Sequence, residues 1–193
     1  MRWPEGPRAR LFVRLVPLLG AALWPWPGLA HAFTGAFAAA CNGVARVDLG
    51  WHARVAFEPH YAPDAPWLVL LSITNELSGR SFRIPVDTRT VAYLRFAVFF
   101  ALALASSILR TRRGVRAAAA GVAVLAAITA VTIELGVLQV FGMLGVLRLG
   151  VLAQSVLSVG ILTLVSYPSM AFAVPGLVWV LTMRLAAPAP DDA

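Results

Sequence analysis

The sequence predicts an α-helical membrane protein with four transmembrane helices and a small antiparallel β-meander domain inserted between helices 1 and 2. Three observations predict this fold class. Hydrophobic residues make up 60% of the 193 residues, and the mean hydropathy is +0.79, as is typical of membrane proteins. Four apolar stretches offer the roughly 20 residues that a helix needs to cross the hydrocarbon core. A polar segment between the first two stretches, residues 46–90, carries the alternating pattern of strands.

The predicted segments follow one another without an internal repeat. Helix 1 is kinked near residues 24–28, because Pro25 and Pro27 remove backbone donors and clash with the preceding turn. Its second half is expected to lie shallow at the membrane surface. Its apolar stretch is longer than that of a cleaved signal peptide, which favours an uncleaved helix. In order, the segments are the basic N-terminus (1–14), helix 1 (15–45), the β-rich domain (46–90), helix 2 (91–109), an arginine loop (110–116), helix 3 (117–141), an outer turn (142–150), helix 4 (151–184) and a tail (185–193).

Three strand candidates lie in the β-rich domain. Apolar and polar residues alternate from Val47 to Phe57, and further candidates lie at 67–74 and 81–86. We expect the three prolines of 58–66 to interrupt the strand pattern, because proline cannot donate to a strand ladder. Pro85 places the third strand at an edge for the same reason. Three strands with one apolar face are barely stable alone, so the sheet is expected to rest on the membrane or on helix 1.

Two arginine clusters predict the orientation in the membrane. Arginine accumulates in cytoplasmic loops near the ends of the spans, and two predicted crossings separate the clusters. Both termini are therefore predicted to be cytoplasmic and the β domain extracytoplasmic, in a bacterial inner membrane. The clusters also account for much of the net charge of +7. Such clusters are attracted to lipid headgroups, so the lipid bilayer is a predicted partner and nucleic acid is not. The clusters consist of Arg2, Arg8, Arg10 and Arg14, and of Arg110, Arg112, Arg113 and Arg116.

Candidate functional residues lie within one predicted span and at the start of another. Glu134 is the sharpest, because an ionisable side chain within a span is costly and by default indicates a function such as proton handling. Its structural alternative is pairing with Arg148 or Arg95 near the outer interface. Asp87, Arg89 and Arg95 form a second group where the β domain enters helix 2. The arginines could bind a partner or a lipid phosphate, whereas Asp87 could instead cap the helix.

Aromatic and histidine side chains of the β domain form the predicted partner-binding surface. These residues are Trp51, His52, His60, Tyr61 and Trp67. His52, His60 and Asp64 match no recurrent zinc spacing, so neither a metal nor a cofactor is predicted.

Catalytic motifs are missing from the sequence. The single cysteine, Cys41, cannot form an internal disulfide, and a nucleophilic role would need a base beside it. The chain has no Gly-rich phosphate loop, nucleophile elbow, paired cysteine motif or H-E-x-x-H. No catalytic residue is therefore predicted, and a non-enzymatic protein is favoured. The alternatives are an intramembrane enzyme that uses Cys41 or Glu134, and a small transporter, for which polar residues in the later spans are sparse.

The stretches FVRLVPLLGAALW (12–24) and YLRFAVFFALALAS (93–106) are similar to small bacterial membrane proteins associated with exosortases. Those proteins look like multi-span companions of the sorting enzyme, with an outer loop between the first two spans. With the missing catalytic motifs, this resemblance leads us to predict an accessory or scaffold protein. Its β domain would be presented to another membrane protein, in exosortase-type sorting or in envelope assembly.

Overall fold

The computed structural model describes residues 7–24, 26, 28–45, 53–147, 150–161 and 169–187. These residues form six α-helices and three strands. They are α1 (Pro7–Leu23), α2 (Leu29–Ala45), β1 (Ala53–Ala62), β2 (Ala65–Asn75), β3 (Ser81–Asp87), α3 (Leu94–Ala105), α4 (Arg112–Met143), α5 (Val151–Ile161) and α6 (Met170–Ala186). Among the described residues, α4 is the one helix that is long and apolar enough, by length and composition alone, to cross a membrane.

The chain divides into two compact units. The first takes its residues from Met1–Trp24, Leu94–Thr129 and Ser169–Ala193, and the second from Pro25–Tyr93 and Ala130–Pro168. The predicted helix 1 is divided between them, since α1 ends at Leu23 and α2 begins at Leu29. Pro25 and Pro27, which predicted the kink, lie outside the described residues. In the second unit, α2 packs against β1 and β2.

The sheet confirms the predicted three-stranded antiparallel meander. Its strand order is β1-β2-β3, with both neighbouring pairs antiparallel. The third strand is an edge strand, as Pro85 predicted. This proline pairs with Leu70, and its missing N–H is tolerated because an edge strand forms a ladder on one side.

One expectation about the sheet was wrong. The prolines of 58–66 do not interrupt the first strand, since β1 continues through Pro59 to Ala62 and pairs Pro59 with Val69. The reason lies in the direction of the backbone groups of β1. The N–H and C=O of Phe57 bond to α2 and not to β2. Residue 59 shares that direction, since backbone directions alternate along a strand, so no ladder donor is needed from Pro59.

The core of the second unit lies between α2 and one face of the sheet. Alternate residues of β2 are buried, with Val69 and Ile73 at 0% exposure, and Phe57 of β1 is buried beside them. Ala30, Phe37 and Ala38 are the buried apolar residues of the facing helix. Period-two burial on the strands and burial on one side of α2 are what the apolar patterns of these segments favour.

Asn42 of α2 closes the edge of β1. Its Nδ2 donates to the Phe57 carbonyl at 2.8 Å, and its Oδ1 accepts from the Phe57 N–H at 2.8 Å. The side-chain amide thus replaces the neighbouring strand that an edge residue lacks. An edge satisfied in this way cannot pair with another chain at this position.

Replacing Asn42 by alanine should lower the free energy of unfolding by about 1–2 kcal/mol, because two part-buried backbone groups lose their partner. Denaturant unfolding in a mild detergent measures this change. Asn42→Asp is the matched control: it keeps the acceptor for the Phe57 N–H but loses the donor. We expect an intermediate stability for it, and equal stability of all three proteins would contradict the role of the amide.

In the first unit, α1 packs against α3 and α3 packs against α6. Phe99, Leu125 and Val178 form the buried cluster between α3, α4 and α6. Two serines that follow the end of α3 accept hydrogen bonds from α1 and α6. Arg14 Nη1 donates to Ser107 Oγ at 2.9 Å, and Trp179 Nε1 donates to Ser106 Oγ at 3.1 Å.

The helix boundaries of this unit differ from those expected at 109 and 117. The third helix ends at Ala105, because Ser107 adopts a left-handed conformation with φ of 57° and turns the chain. The fourth helix begins at Arg112, where the Thr111 hydroxyl accepts from the Gly114 N–H at 3.0 Å as an N-cap. Three arginines assigned to the loop, Arg112, Arg113 and Arg116, therefore lie in the first turns of α4.

Candidate functional site

The meander brings several chemically distinctive side chains to one end of the second unit. The last residues of β1, the first of β2, the last of β3 and the first of α2 all lie at this end, as the strand pairing and the contacts of α2 require. We call it the aromatic end. Its residues are His31, Phe33, Tyr61, Trp67, Arg89 and Tyr93.

Three rings form the centre of the aromatic end. The ring centroids of Trp67 and Tyr93 are 4.6 Å apart, and Phe33 contacts both, at 6.0 Å from Trp67 and 5.3 Å from Tyr93. Phe37 continues the series into the core, with its ring 6.4 Å from that of Phe33. Contacts at these separations stabilise aromatic pairs beyond the burial of their area.

Tyr61 extends the cluster toward the surface. The β1–β2 register shifts between His60 and Ala62, and such a bulge redirects the side chain of the extra residue. The Tyr61 ring stacks on His31 with centroids 5.3 Å apart, and its hydroxyl lies against Gly35. Both stacked side chains are exposed, so the edge of the cluster can be reached from outside the unit.

Arg89 and Asp87 lie where β3 leads into the next helix. The Asp87 carboxylate accepts from the Arg89 N–H at 2.9 Å and from the Thr90 hydroxyl at 3.3 Å. This is the capping geometry that was the alternative to a binding role for Asp87. The guanidinium carbon of Arg89 lies 6.0 Å from the centroid of the Trp67 ring, within the range of a cation–π contact. A π-helical turn, Arg89–Tyr93, follows the cap.

Two buried hydroxyls lie beneath the rings. Thr34 and Thr88 are both at 0% exposure, and their oxygens are 3.4 Å apart. The Thr34 hydroxyl donates to the Pro66 carbonyl at 3.1 Å, and the Thr88 hydroxyl donates to the Trp67 carbonyl at 2.8 Å. The start of β2 is thus bonded to α2 and to the end of β3 through side chains.

The two candidates for an enzyme, Cys41 and Glu134, lie on α2 and α4 in the second unit. Cys41 is half-buried on α2, where burial and the Glu134 carboxylate raise the pKa of its thiol to about 11. A thiol that stays protonated at neutral pH is a poor nucleophile. Glu134 itself is exposed on α4.

The remaining predicted residues are dispersed. Arg95 is buried on α3 in the first unit, at 1% exposure, and His60 is exposed on β1 opposite Leu68. Trp51, His52 and Arg148 lie outside the described residues. Within the described ranges, no three His, Cys, Asp or Glu side chains are grouped so that they could hold a metal ion.

The α2 residues of the site were not predicted from the sequence. Phe37 lies four positions after Phe33 and three after Thr34, spacings that place the three side chains near one side of a helix. Their spacing was the available signal. It lay inside a long apolar stretch, where such a pattern does not stand out.

No protein-family model, curated protein or solved structure matches the chain. The functional interpretation therefore depends on the residues and their geometry. An aromatic cluster with a cation above one ring can bind or dock at a surface.

Proposed function

We propose that the chain is a multi-pass protein of a bacterial inner membrane. In this proposal it acts without catalysis, as an accessory or scaffold subunit that presents its extracytoplasmic sheet to another membrane protein. Such a role suits exosortase-type sorting or envelope assembly. The first three crossings are made by α1, α3 and α4, and the fourth by the segment that contains α5 and α6. Helix α2 stays outside the membrane, packed on the sheet.

Exposed apolar side chains on the helices support a lipid environment. In α5, Val151 and Leu152 are 81% and 84% exposed, and Val156 and Val159 are exposed too. Large apolar side chains are also exposed on α4 and α6. Soluble monomers rarely expose contiguous apolar surface on this scale, whereas lipid tails satisfy it.

The arrangement of the arginines supports cytoplasmic termini. Arg14 of α1 hydrogen-bonds to Ser107, close to the second arginine cluster. Arg14 of the first cluster and the arginines that follow Ser107 therefore lie at one end of the first unit. That is where the positive-inside preference requires them if α1 leaves the cytoplasm and α3 returns to it.

The surface that supports the proposal of a protein partner is the face of the sheet opposite α2. Leu68 and Leu70 of β2 lie half-buried on this outer face, between His60 and Glu58 of β1 and the edge strand β3. Charged side chains surround the leucines. They are Arg54 and Glu58 on β1 and Arg83 on β3, all exposed. An apolar centre with a polar rim is the usual anatomy of a protein interface.

Cysteine labelling in cells tests both parts of the proposal. In a Cys41→Ala background, Arg83→Cys on the outer face should react with a membrane-impermeant maleimide–benzophenone reagent, and illumination should crosslink it to one membrane protein. Arg113→Cys, exposed at the start of α4, is the control and should react only after the inner membrane is permeabilised. Leu70→Arg should remove the crosslinked product, because it places a charge in the apolar centre.

Three outcomes would contradict the proposal. Reaction of Arg113→Cys in intact cells would reverse the orientation. A crosslink that survives Leu70→Arg would show that the outer face does not select the partner. If cells that carry Cys41→Ala show the same defect as cells without the gene, although the protein is present at its normal level, the intramembrane enzyme would be favoured.

A further inference from the structure

We infer that the aromatic end is a membrane-docking surface, whose rings and arginine lie in the headgroup layer of a phospholipid bilayer. The inference rests on the proposed function, because it assumes that the helices are in lipid. It goes further by assigning one end of the sheet unit to lipid, so that the outer face remains for protein.

The residues of the aromatic end combine apolar rings with polar tips. Their exposure changes in order along the cluster: Phe37 is buried, Phe33 and Trp67 are half-buried, and His31 and Tyr61 are exposed. Tyrosine and tryptophan concentrate at membrane interfaces, where the ring meets acyl chains and the polar group meets water. A protein core would bury the whole series, whereas here the polar members are at the surface.

The segment Pro25–Tyr93, one of the two chain segments of the second unit, begins and ends at this same end. Trp26 precedes α2 and is 52% exposed, and Tyr93 is followed directly by the apolar helix α3. If α1 and α3 cross the bilayer, the residues that adjoin them lie at its boundary. The position of the aromatic end along the chain therefore agrees with its chemistry.

The charges at the aromatic end suit a headgroup layer that carries both signs. Arg89 is half-buried above the Trp67 ring, where its guanidinium can reach a lipid phosphate. The Asp87 carboxylate already accepts bonds from Arg89 and Thr90. Asp64, in the β1–β2 turn, is exposed, and an ethanolamine ammonium can pair with it.

The opposite end of the sheet provides an internal comparison. The β2–β3 turn is organised by Asn75, whose Oδ1 accepts from the Leu77 and Ser78 N–H groups at 2.9 and 3.2 Å. Gly79, at φ of +66°, completes the turn. The turn contains no aromatic residue, and the ring of Phe82 at the start of β3 is 44% exposed. Since β2 runs from Ala65 to Asn75, the two ends are about 34 Å apart.

Fluorescence quenching in vesicles tests the inference. The full-length chain with Cys41→Ala and either Asp64→Cys or Ser78→Cys is labelled with an environment-sensitive fluorophore. It is then reconstituted in phosphatidylethanolamine–phosphatidylglycerol vesicles that contain a lipid spin-labelled on its headgroup. Both positions lie in exposed turns, so the label leaves the core intact. The spin label is present in both leaflets, so mixed orientations do not affect the comparison.

We expect quenching at position 64 to exceed that at position 78 severalfold, because the spin label acts over a distance much shorter than the sheet. Equal quenching at the two positions, or stronger quenching at 78, would overturn the inference. Flotation of the vesicles separates this failure from that of the proposed function. A chain that floats with the vesicles but shows equal quenching contradicts the docking surface alone. A chain that does not float contradicts the membrane assignment, and the docking surface with it.

Discussion

Replacing Gly121 by alanine is expected to destabilise the first unit by about 2 kcal/mol, because a Cβ at this position overpacks a rigid contact. It would lie 2.6 Å from Phe99 Cζ and 2.9 Å from Thr182 Oγ1. Neither neighbour can move easily. Phe99 is at 0% exposure, and the Thr182 hydroxyl is held by a 2.6 Å bond to the Val178 carbonyl.

Gly136 supplies the matched control on the same helix. A Cβ added there meets nothing within 4 Å, and alanine is the better helix former by about 0.5–1 kcal/mol. Gly136→Ala should therefore stabilise the protein slightly while Gly121→Ala destabilises it. Denaturant unfolding of both variants in the same detergent measures whether each change raises or lowers the free energy of unfolding. Equal effects would mean that helix propensity, and not close packing of α3, α4 and α6, governs the result.

The sheet could be predicted from sequence because its signals are local. The alternation that begins at Val47, and Pro85 in the third strand, are properties of short segments, and both led to the correct meander with β3 at its edge. Pro59 misled because its effect depends on which side of the strand its nitrogen faces. That direction follows from the register of β1 against β2, and it is visible in the bonds of Phe57 to Asn42, which belongs to another element.

The helix boundaries illustrate a different limit. Hydropathy alone placed a helix start at 117, whereas α4 begins at Arg112. The Thr111 hydroxyl and the N–H of the glycine three residues later form the cap. In the sequence this cap is a pattern of only two residues. Hydropathy averages over many residues, so it cannot detect a cap that involves two.

The candidate site was predicted in parts. Tyr61, Trp67 and Arg89 were each selected from the sequence, two of them as partner-binding residues. The sequence could not bring them together with Phe33 and His31, because those contacts join α2 to strands 30 or more positions away. For Asp87, the sequence allowed either a helix cap or a ligand-binding role. The position of the Arg89 N–H, which donates to the Asp87 carboxylate, shows the cap.

Replacing Thr88 by valine should lower the free energy of unfolding of the second unit by about 2 kcal/mol. Valine keeps the shape of the side chain but leaves the Trp67 carbonyl, which accepts at 2.8 Å from the Thr88 hydroxyl, without that donor. A buried polar group that loses its partner costs about 1–3 kcal/mol. Thr88→Ser is the control. It keeps the hydroxyl and loses only a methyl group, so it should remain closer to the starting protein than Thr88→Val.

A double-mutant cycle with Thr34→Val then shows whether the two hydroxyls act as one unit. Their oxygens lie 3.4 Å apart in a site with no access to water, so removing one should change what the other contributes. We expect a coupling energy of about 0.5–1 kcal/mol, with the double variant less destabilised than the sum of the single ones. Strict additivity would mean that each threonine serves its own carbonyl independently. Coupling would mean that the start of β2, where Trp67 begins the aromatic end, is positioned by α2 and β3 together, and that the docking surface is ordered by the core beneath it.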